Sequence, residues 1–216
     1  MVTSVSNPML GIFGGTFDPI HNGHLRVAID AYEQLCLDRV HLIPLSGAVH
    51  RDQPKASAEH RLAMIEKAVE QTPYLIADDR EIRRGGDSYM VDTLSSLKAD
   101  HPNEVLCLLL GTDAFNGFDR WRNPERILQL ANLVVLKRPG YSVPTDSPLA
   151  ALVKGHLCDE LGILKTSPAG KIFFLEVTQL DIASSEIRQK IPESHQANFL
   201  LPNSTLEYIQ KHQLYR

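Results

Sequence analysis

Short apolar runs alternate along the chain with segments whose apolar residues recur every three or four positions. The runs predict five strands, at Met9–Phe13, Val40–Pro44, Val105–Leu110, Leu133–Leu136 and Ile172–Glu176. The recurring positions predict helices over 24–36, around Leu62 to Val69, around Val91 to Leu97, over 184–191 and over 205–212. Val105–Leu110 is apolar throughout, which is typical of a central strand buried on both faces. This alternation predicts an α/β fold with a mainly parallel central sheet flanked by helices.

Composition sets the scale of the molecule and excludes some partners. A chain of 216 residues that is 43% apolar and 22% charged is typical of a globular protein with a full core. We expect a single domain over 1–216, with a small helical C-terminal part around 182–216. The formal net charge of -4 argues against a general nucleic-acid surface, which is usually basic.

The cysteines and the hydropathy pattern indicate a compartment. Cys36, Cys107 and Cys158 have no paired spacing, so neither a zinc ribbon nor a disulfide framework is predicted. The first nine residues carry no Lys or Arg, and no stretch reaches the roughly 18 to 20 apolar residues that span a bilayer. We therefore expect a cytoplasmic protein without a membrane partner; the oligomeric state is not predicted.

The strongest chemical signal is the segment GGTFDPIHNGH, from Gly14 to His24. It follows the first predicted strand and opens the first predicted helix, where ligands bind in open parallel sheets. Its glycines let the backbone approach a ligand closely, and a helix N-terminus favours anions. His21 and His24, three residues apart, can both point at one phosphate. Neither a Walker A loop nor the dinucleotide fingerprint is present.

This segment resembles the GGTFDPxHxGH signature of the nucleotidyltransferase superfamily that carries an HxGH motif. More narrowly, the chain resembles the bacterial nicotinate-nucleotide adenylyltransferases over nearly its whole length. The resemblance implies a Rossmann-like nucleotidyltransferase fold and transfer of the adenylyl group of ATP to nicotinate mononucleotide. It also implies Mg²⁺ as the cofactor, held largely by phosphates and water, with no protein metal ligands.

The resemblance implies roles for residues on the ATP side. His21, His24 and Arg188 would stabilise the phosphates during the reaction. Residues expected to bind ATP or its phosphates are Gly14, Gly15, Thr16, Phe17, Gly111, Asp113, Arg138, Ser184 and Ser185. Ser184 or Ser185 can also cap the helix that Arg188 lies on, leaving its free amides for phosphate oxygens. Ala183 stands where many relatives have Ser.

A second group of residues is implied for the acceptor nucleotide. These residues are His50, Arg51, Ser88, Tyr89, Met90 and Trp121. Backbone amides at Ser88 to Met90 would bind the nicotinate carboxylate, and Trp121 would stack on its ring. Met90 replaces the usual Thr, and Val49 precedes His50 where the family has Pro. Ser88 is also predicted to be the N-cap of the following helix.

Other functions are compatible with part of this pattern. A sister transferase acting on nicotinamide mononucleotide or phosphopantetheine would share the segment from Gly14 to His24. A nucleotide-binding sensor that has lost catalysis would bind ATP without releasing pyrophosphate. A nucleic-acid-binding α/β protein is disfavoured by the acidic balance. The segment from Gly47 to Ala56 is polar and contains proline, which predicts a mobile loop over a site.

Overall fold

The computed structural model describes residues 7–48, 53–137, 147–192 and 196–216. Its seven strands form one parallel sheet in the order β3-β2-β1-β4-β5-β7-β6. The strands are β1 (Met9–Gly15), β2 (Arg39–Pro44), β3 (Leu75–Ala77), β4 (Val105–Gly111), β5 (Asn132–Lys137), β6 (Leu157–Cys158) and β7 (Ile172–Glu176). The predicted parallel α/β fold is confirmed.

Helices lie between these strands and, for the last two, after β7. They are α1 (Asn22–Leu35), α2 (Ala58–Val69), α3 (Arg80–Arg84), α4 (Met90–Asp100), α5 (Thr112–Phe115), α6 (Pro124–Leu130), α7 (Pro148–Val153), α8 (Leu161–Thr166), α9 (Ser184–Lys190) and α10 (Asn203–Lys211), with a short 3-10 helix at Phe118–Arg120. Within the described residues, no helix is both long and apolar enough to cross a membrane.

The chain divides into two compact units. The first holds the described residues up to Phe13, together with Ala31–Arg39 and Tyr89–Val177. In this unit β4 pairs with β1 and β5, and Val105–Leu110 is buried at every position, as its apolar run predicted. The second unit comprises Gly14–Asp30, Val40–Ser88 and Thr178–Arg216. There β2 pairs with β3, and α2 packs against α10.

All five predicted strands and all five predicted helices are present. The strand ends differ from the prediction by at most two residues, whereas α2 begins four residues before Leu62 and α4 ends three residues after Leu97. The short elements were missed, because three-residue β3 and two-residue β6 carry too few positions for a period to show. The segment from Tyr141 to Pro148 is rich in Pro and Ser, which predicts a surface loop, and it lies largely outside the described residues. Its last residue is an error of the prediction, since Pro148 begins α7 behind a Ser147 cap.

Candidate active site

The turn between β1 and α1 carries the motif found in the sequence. β1 ends at Gly15 and α1 begins at Asn22, so the predicted strand-turn-helix arrangement is confirmed. Phe17 lies in this turn with a φ of 49° and only 2% of its surface exposed. A Cβ on Gly15 would lie 2.9 Å from Cζ of Phe17, so a residue without a side chain is needed there. The buried side chain of Phe17 thus anchors the turn.

The structure brings the imidazoles of His21 and His24 together. Their ring centroids are 3.6 Å apart with an interplanar angle of 27°, and His24 also meets Phe17 edge-on at 5.1 Å. His21 is only 6% exposed, whereas His24 keeps part of its surface exposed. The two rings thus form a stacked pair at the start of α1.

Two backbone hydrogen bonds define the protonation of this pair. The N–H of His21 donates to Nδ1 of His24 at 3.3 Å, and the N–H of His24 donates to Nδ1 of His21 at 3.4 Å. A ring nitrogen that accepts a hydrogen bond carries no proton, so the proton of each neutral ring is assigned to Nε2. Each imidazole can therefore offer an Nε2–H donor to an anion.

Burial keeps both rings uncharged in the free protein. It lowers the pKa of His21 to about 4. It also lowers the pKa of His24 well below the ordinary value, and the nearness of His21 lowers the pKa of His24 further. At neutral pH the pair is an uncharged double donor that gains charge only when an anion supplies compensation.

These lowered pKa values predict an acid-labile protein. The unfolded chain takes up protons at the ordinary pKa of 6.5, before the folded protein does. Stability should therefore be complete above about pH 6.5 and fall below it, with His21 alone contributing on the order of 2 kcal/mol of loss at pH 5. Urea unfolding at pH 7 and pH 5 measures this loss.

The matched variant for this measurement is His21→Asn. Its side-chain oxygen can still accept from the N–H of His24, but it cannot be protonated in this range. The variant should lose less free energy of unfolding between pH 7 and pH 5 than the wild type does. An equal loss in both proteins would contradict the assigned pKa of His21.

Gly23 is required by the packing of His21. A Cβ at this position would lie 3.0 Å from both Cε1 and Nδ1 of the His21 ring and 3.6 Å from the carbonyl oxygen of Leu180. Contacts of 3.0 Å to ring atoms force the imidazole to move. The glycine of the motif therefore serves the placement of a side chain, in addition to freeing the backbone.

Gly23→Ala should lower kcat/KM about a hundredfold, because a displacement of about 1 Å in a reacting group has an effect of this size. The melting temperature should not fall with it, since alanine favours helix over glycine. Gly162→Ala is the matched control: Gly162 is also the second residue of a helix, and its added Cβ meets no atom within 4 Å. Similar kinetics in the two variants would contradict the steric argument.

Asp18 is a buried hub of the turn. It is 3% exposed, and its carboxylate accepts from the N–H groups of Lys55 at 2.7 Å and Ala56 at 3.1 Å, and from the Tyr215 hydroxyl at 2.7 Å. Its oxygens are thus engaged by protein donors. Across the described part of the chain, no group of three His, Cys, Asp or Glu side chains is arranged to hold a metal ion.

Arg61 is a site residue that the sequence analysis missed. It lies on α2, is 1% exposed, and donates to backbone carbonyls. Its bonds run to Thr16 at 2.9 Å, Leu45 at 2.7 Å and Ala56 at 3.2 Å. One guanidinium thereby joins the turn between β1 and α1 to the segment after β2 and to the segment before α2. Arg61 therefore supports the backbone of three segments, and its N–H donors are used in these hydrogen bonds.

Arg188 reaches the same turn from α9. Its Nη1 donates to the carbonyl oxygen of Asp18 at 2.7 Å and lies 3.7 Å from the Asp18 carboxylate, and its side chain is 29% exposed. The predicted capping by Ser184 or Ser185 is wrong. Ala183 is the N-cap, without a side-chain bond, and Ser184 Oγ donates instead to the carbonyl oxygen of Pro19 at 2.9 Å. Ser184 therefore ties α9 to the motif.

The candidate acceptor residues lie mostly in the first unit. Trp121 meets Phe118 edge-on, with ring centroids 5.6 Å apart, and the Arg122 guanidinium lies 4.4 Å from the centre of the Tyr89 ring. Met90 is the first residue of α4 and Tyr89 its N-cap. Ser88 is not the cap, which corrects the prediction.

Ser88 belongs to the second unit, and its hydroxyl accepts from the N–H of Ser46 at 2.8 Å. On the ATP side, Gly111 is the N-cap of α5 and Asp113 lies on that helix, exposed. A Cβ on Gly111 would meet no atom within 4 Å, so the space beside it is open. His50, Arg51 and Arg138 lie outside the described residues, as does the middle of the predicted mobile loop.

Comparison with known proteins places the chain in a family. The cytidylyltransferase-like family model matches residues 12–190. A protein of Cellvibrio japonicus, named "Probable nicotinate-nucleotide adenylyltransferase", is 44% identical over 97% of this chain and 99% of its own. One of Methylococcus capsulatus with the same name is 43% identical over 96% and 99%.

A solved structure supports the fold. It is Plasmodium falciparum nicotinic acid mononucleotide adenylyltransferase complexed with NaAD, which aligns with a TM-score of 0.73 over 96% of this chain and 97% of its own, at 19% identity. The match thus extends over the full length at the level of both sequence relatives and backbone. The chain belongs to the cytidylyltransferase-like family and, within it, to the nicotinate-nucleotide adenylyltransferases.

Proposed function

We propose that this chain transfers the adenylyl group of ATP to nicotinate mononucleotide, giving nicotinate adenine dinucleotide and pyrophosphate in NAD biosynthesis. The observation that carries the proposal is the stacked pair of His21 and His24 at the start of α1. Both rings have an Nε2–H donor, and Arg188 of α9 is hydrogen-bonded to the same turn. The family relatives bear the name of this activity at more than 40% identity.

The reaction is an in-line displacement at phosphorus. A phosphate oxygen of the mononucleotide attacks the α-phosphorus of ATP, that P–O bond forms, and the bond to the pyrophosphate oxygen breaks. Both reactants are anions, so the protein's task is to position them and to stabilise the charge that builds up. No covalent intermediate with the protein is needed.

His21 and His24 meet this task through their neutral state. Two Nε2–H donors at a helix N-terminus can bind phosphate oxygens, and the negative charge that arrives raises their proton affinity. A proton taken up by either ring then adds positive charge near the leaving oxygens. The 3.6 Å stacking disfavours two protons at once, so the pair works with one.

The rest of the phosphate site is built around this pair. We assign the amides of Gly14, Gly15, Thr16 and Phe17 to the reacting phosphate region. Arg188 is assigned to the β- and γ-phosphates, because its side chain is partly exposed and one nitrogen already holds it against the turn. The amides at the start of α9, at Ser184 and Ser185, are assigned to the same oxygens.

We propose Mg²⁺ as the divalent ion, bound to the ATP phosphates and to water. The ion supplies neutralisation of phosphate charge when it is bound. This is supported by the engagement of the Asp18 carboxylate by three protein donors. The protein would accordingly recognise ATP with its ion already in place.

The residues proposed for base and ribose recognition lie at the starts of α4 and α5 and at Trp121. The amides at the start of α4, beginning with Met90, suit the nicotinate carboxylate, because a helix N-terminus carries free N–H groups. Trp121 is assigned to the nicotinate ring. Gly111 and Asp113 are assigned to the adenosine, where open space beside Gly111 permits close approach.

The cysteines bear on the location of the protein in the cell. Cys36, Cys107 and Cys158 are free thiols, which supports the proposed cytoplasmic location.

Pyrophosphate release tests the proposed function. ATP and magnesium are supplied with nicotinate mononucleotide, with nicotinamide mononucleotide or with phosphopantetheine, in separate reactions. We expect release with the nicotinate nucleotide at a kcat/KM well above that with the other two. A preference for another acceptor would keep the transferase and overturn the assignments of Met90 and Trp121. ATP binding without release in any reaction would favour a nucleotide sensor.

A further inference from the structure

The residues after α10 lie against Asp18, the buried residue of the turn between β1 and α1. After α10 the chain folds back, with the N–H of Leu214 donating to the carbonyl oxygen of Ile209 at 3.0 Å. This brings Tyr215, the penultimate residue, to Asp18, which is 197 positions away in sequence. Its hydroxyl donates to Oδ1 of Asp18 at 2.7 Å. Nothing in the proposed reaction requires this contact directly.

We propose that Tyr215 is a positioning residue for ATP, which acts by satisfying Asp18 and so leaving Arg188 available to the triphosphate. The inference rests on the proposed function, since it concerns the same site. Tyr215 itself touches neither substrate in this scheme. Its role is carried through one carboxylate and one guanidinium.

The geometry around Asp18 gives the reason. Oδ2 accepts from the N–H of Lys55, and Oδ1 accepts from the N–H of Ala56 and from Tyr215. The guanidinium of Arg188 lies 3.7 Å from Oδ2, beyond hydrogen-bond distance, while it bonds the Asp18 carbonyl oxygen at 2.7 Å. The hydrogen bonds to the buried carboxylate thus come from neutral donors, and Arg188 pairs with it at 3.7 Å without a direct hydrogen bond.

Loss of the Tyr215 hydroxyl changes this balance. Oδ1 would keep one donor at 3.1 Å, and a buried carboxylate that lacks donors attracts the nearest cation. Arg188 is that neighbour, and a closer ion pair with Asp18 would draw it away from phosphate oxygens. Burial raises the pKa of the Tyr215 phenol, and its hydrogen bond to Asp18 raises it further, so the hydroxyl stays a donor throughout the working range.

The test compares Tyr215→Phe with Tyr208→Phe. Tyr208 is on α10, and its hydroxyl contacts the ring nitrogen of His60 at 2.9 Å, away from Asp18. Affinity for a non-hydrolysable ATP analogue with magnesium is measured by calorimetry, and KM is measured for both substrates. Tyr215→Phe should weaken ATP binding and raise the KM for ATP roughly tenfold, with the KM for nicotinate mononucleotide changed less than twofold. Tyr208→Phe should change each by less than twofold.

A double-mutant cycle separates positioning from general support. In an Arg188→Ala background, Tyr215→Phe should change ATP affinity by less than twofold, because the residue through which it acts is gone. A lower melting temperature with unchanged ATP affinity, or an equal loss in both backgrounds, would overturn the proposal. The calorimetry needs no acceptor, so it decides the role of Tyr215 even if pyrophosphate release fails to support the proposed reaction.

Discussion

Replacing His24 with alanine should lower kcat by about 10²- to 10³-fold, the range seen when one donor to a developing negative charge is removed. The variant loses the Nε2–H donor of His24 and also the Nδ1 atom that accepts from the N–H of His21. His21 loses its stacking partner at 3.6 Å at the same time. The KM for ATP should change far less than kcat, because the charge develops in the transition state.

His212→Ala is the control for this prediction. His212 is exposed just after α10, and its ring lies tilted beside that of Tyr208 with centroids 4.2 Å apart. It should leave kcat within twofold of the wild type. Steady-state pyrophosphate release measures both variants, and circular dichroism reports on the fold. Near-normal turnover in a folded His24→Ala protein would remove His24 from the proposed mechanism.

Much of the fold could be predicted because the hydrophobic patterns of its main strands and helices extend over many consecutive residues. β4 is apolar at six consecutive positions, and α1 shows its buried face over 14 residues. The pattern of each segment therefore predicts whether it is a strand or a helix. The motif from Gly14 to His24 joined a strand to a helix, and this fixed its place at the end of β1. Helix caps were less predictable. Ser88 and Ser184 are good capping types, yet tertiary partners at Ser46 and Pro19 engage their hydroxyls instead.

The hidden part of the site depends on contacts distant in sequence. Arg61 did carry a signal, because it shares the buried face of α2 with Met64, Ile65 and Val69, where an arginine is unexpected. Its partners, however, are backbone carbonyls that no residue type reveals. Tyr215 follows the last helix and has no periodicity at all. The contacts of such residues can be recognised only in the folded structure.

Replacing Arg61 with methionine should destabilise the protein by about 3 kcal/mol or more. Methionine keeps the length of the side chain and its apolar contacts but removes every donor. The partly buried carbonyl oxygens of Thr16 and Leu45 and the buried one of Ala56 would then lose the guanidinium, and each buried loss costs about 1–3 kcal/mol. For a chain of this size the melting temperature should fall by roughly 10 °C.

The comparison variant is Arg83→Met on α3. Arg83 is 70% exposed at its side chain and pairs with Asp79 at 2.8 Å, so its loss should cost less than about 0.5 kcal/mol. Urea unfolding and thermal melts measure both variants, and kcat/KM should fall only in Arg61→Met, because Thr16 loses its support. Equal stabilities for the two variants would show that the buried guanidinium is replaceable by packing. The turn between β1 and α1 would then be held by its other contacts, which include those of Asp18, Phe17, Ser184 and Arg188.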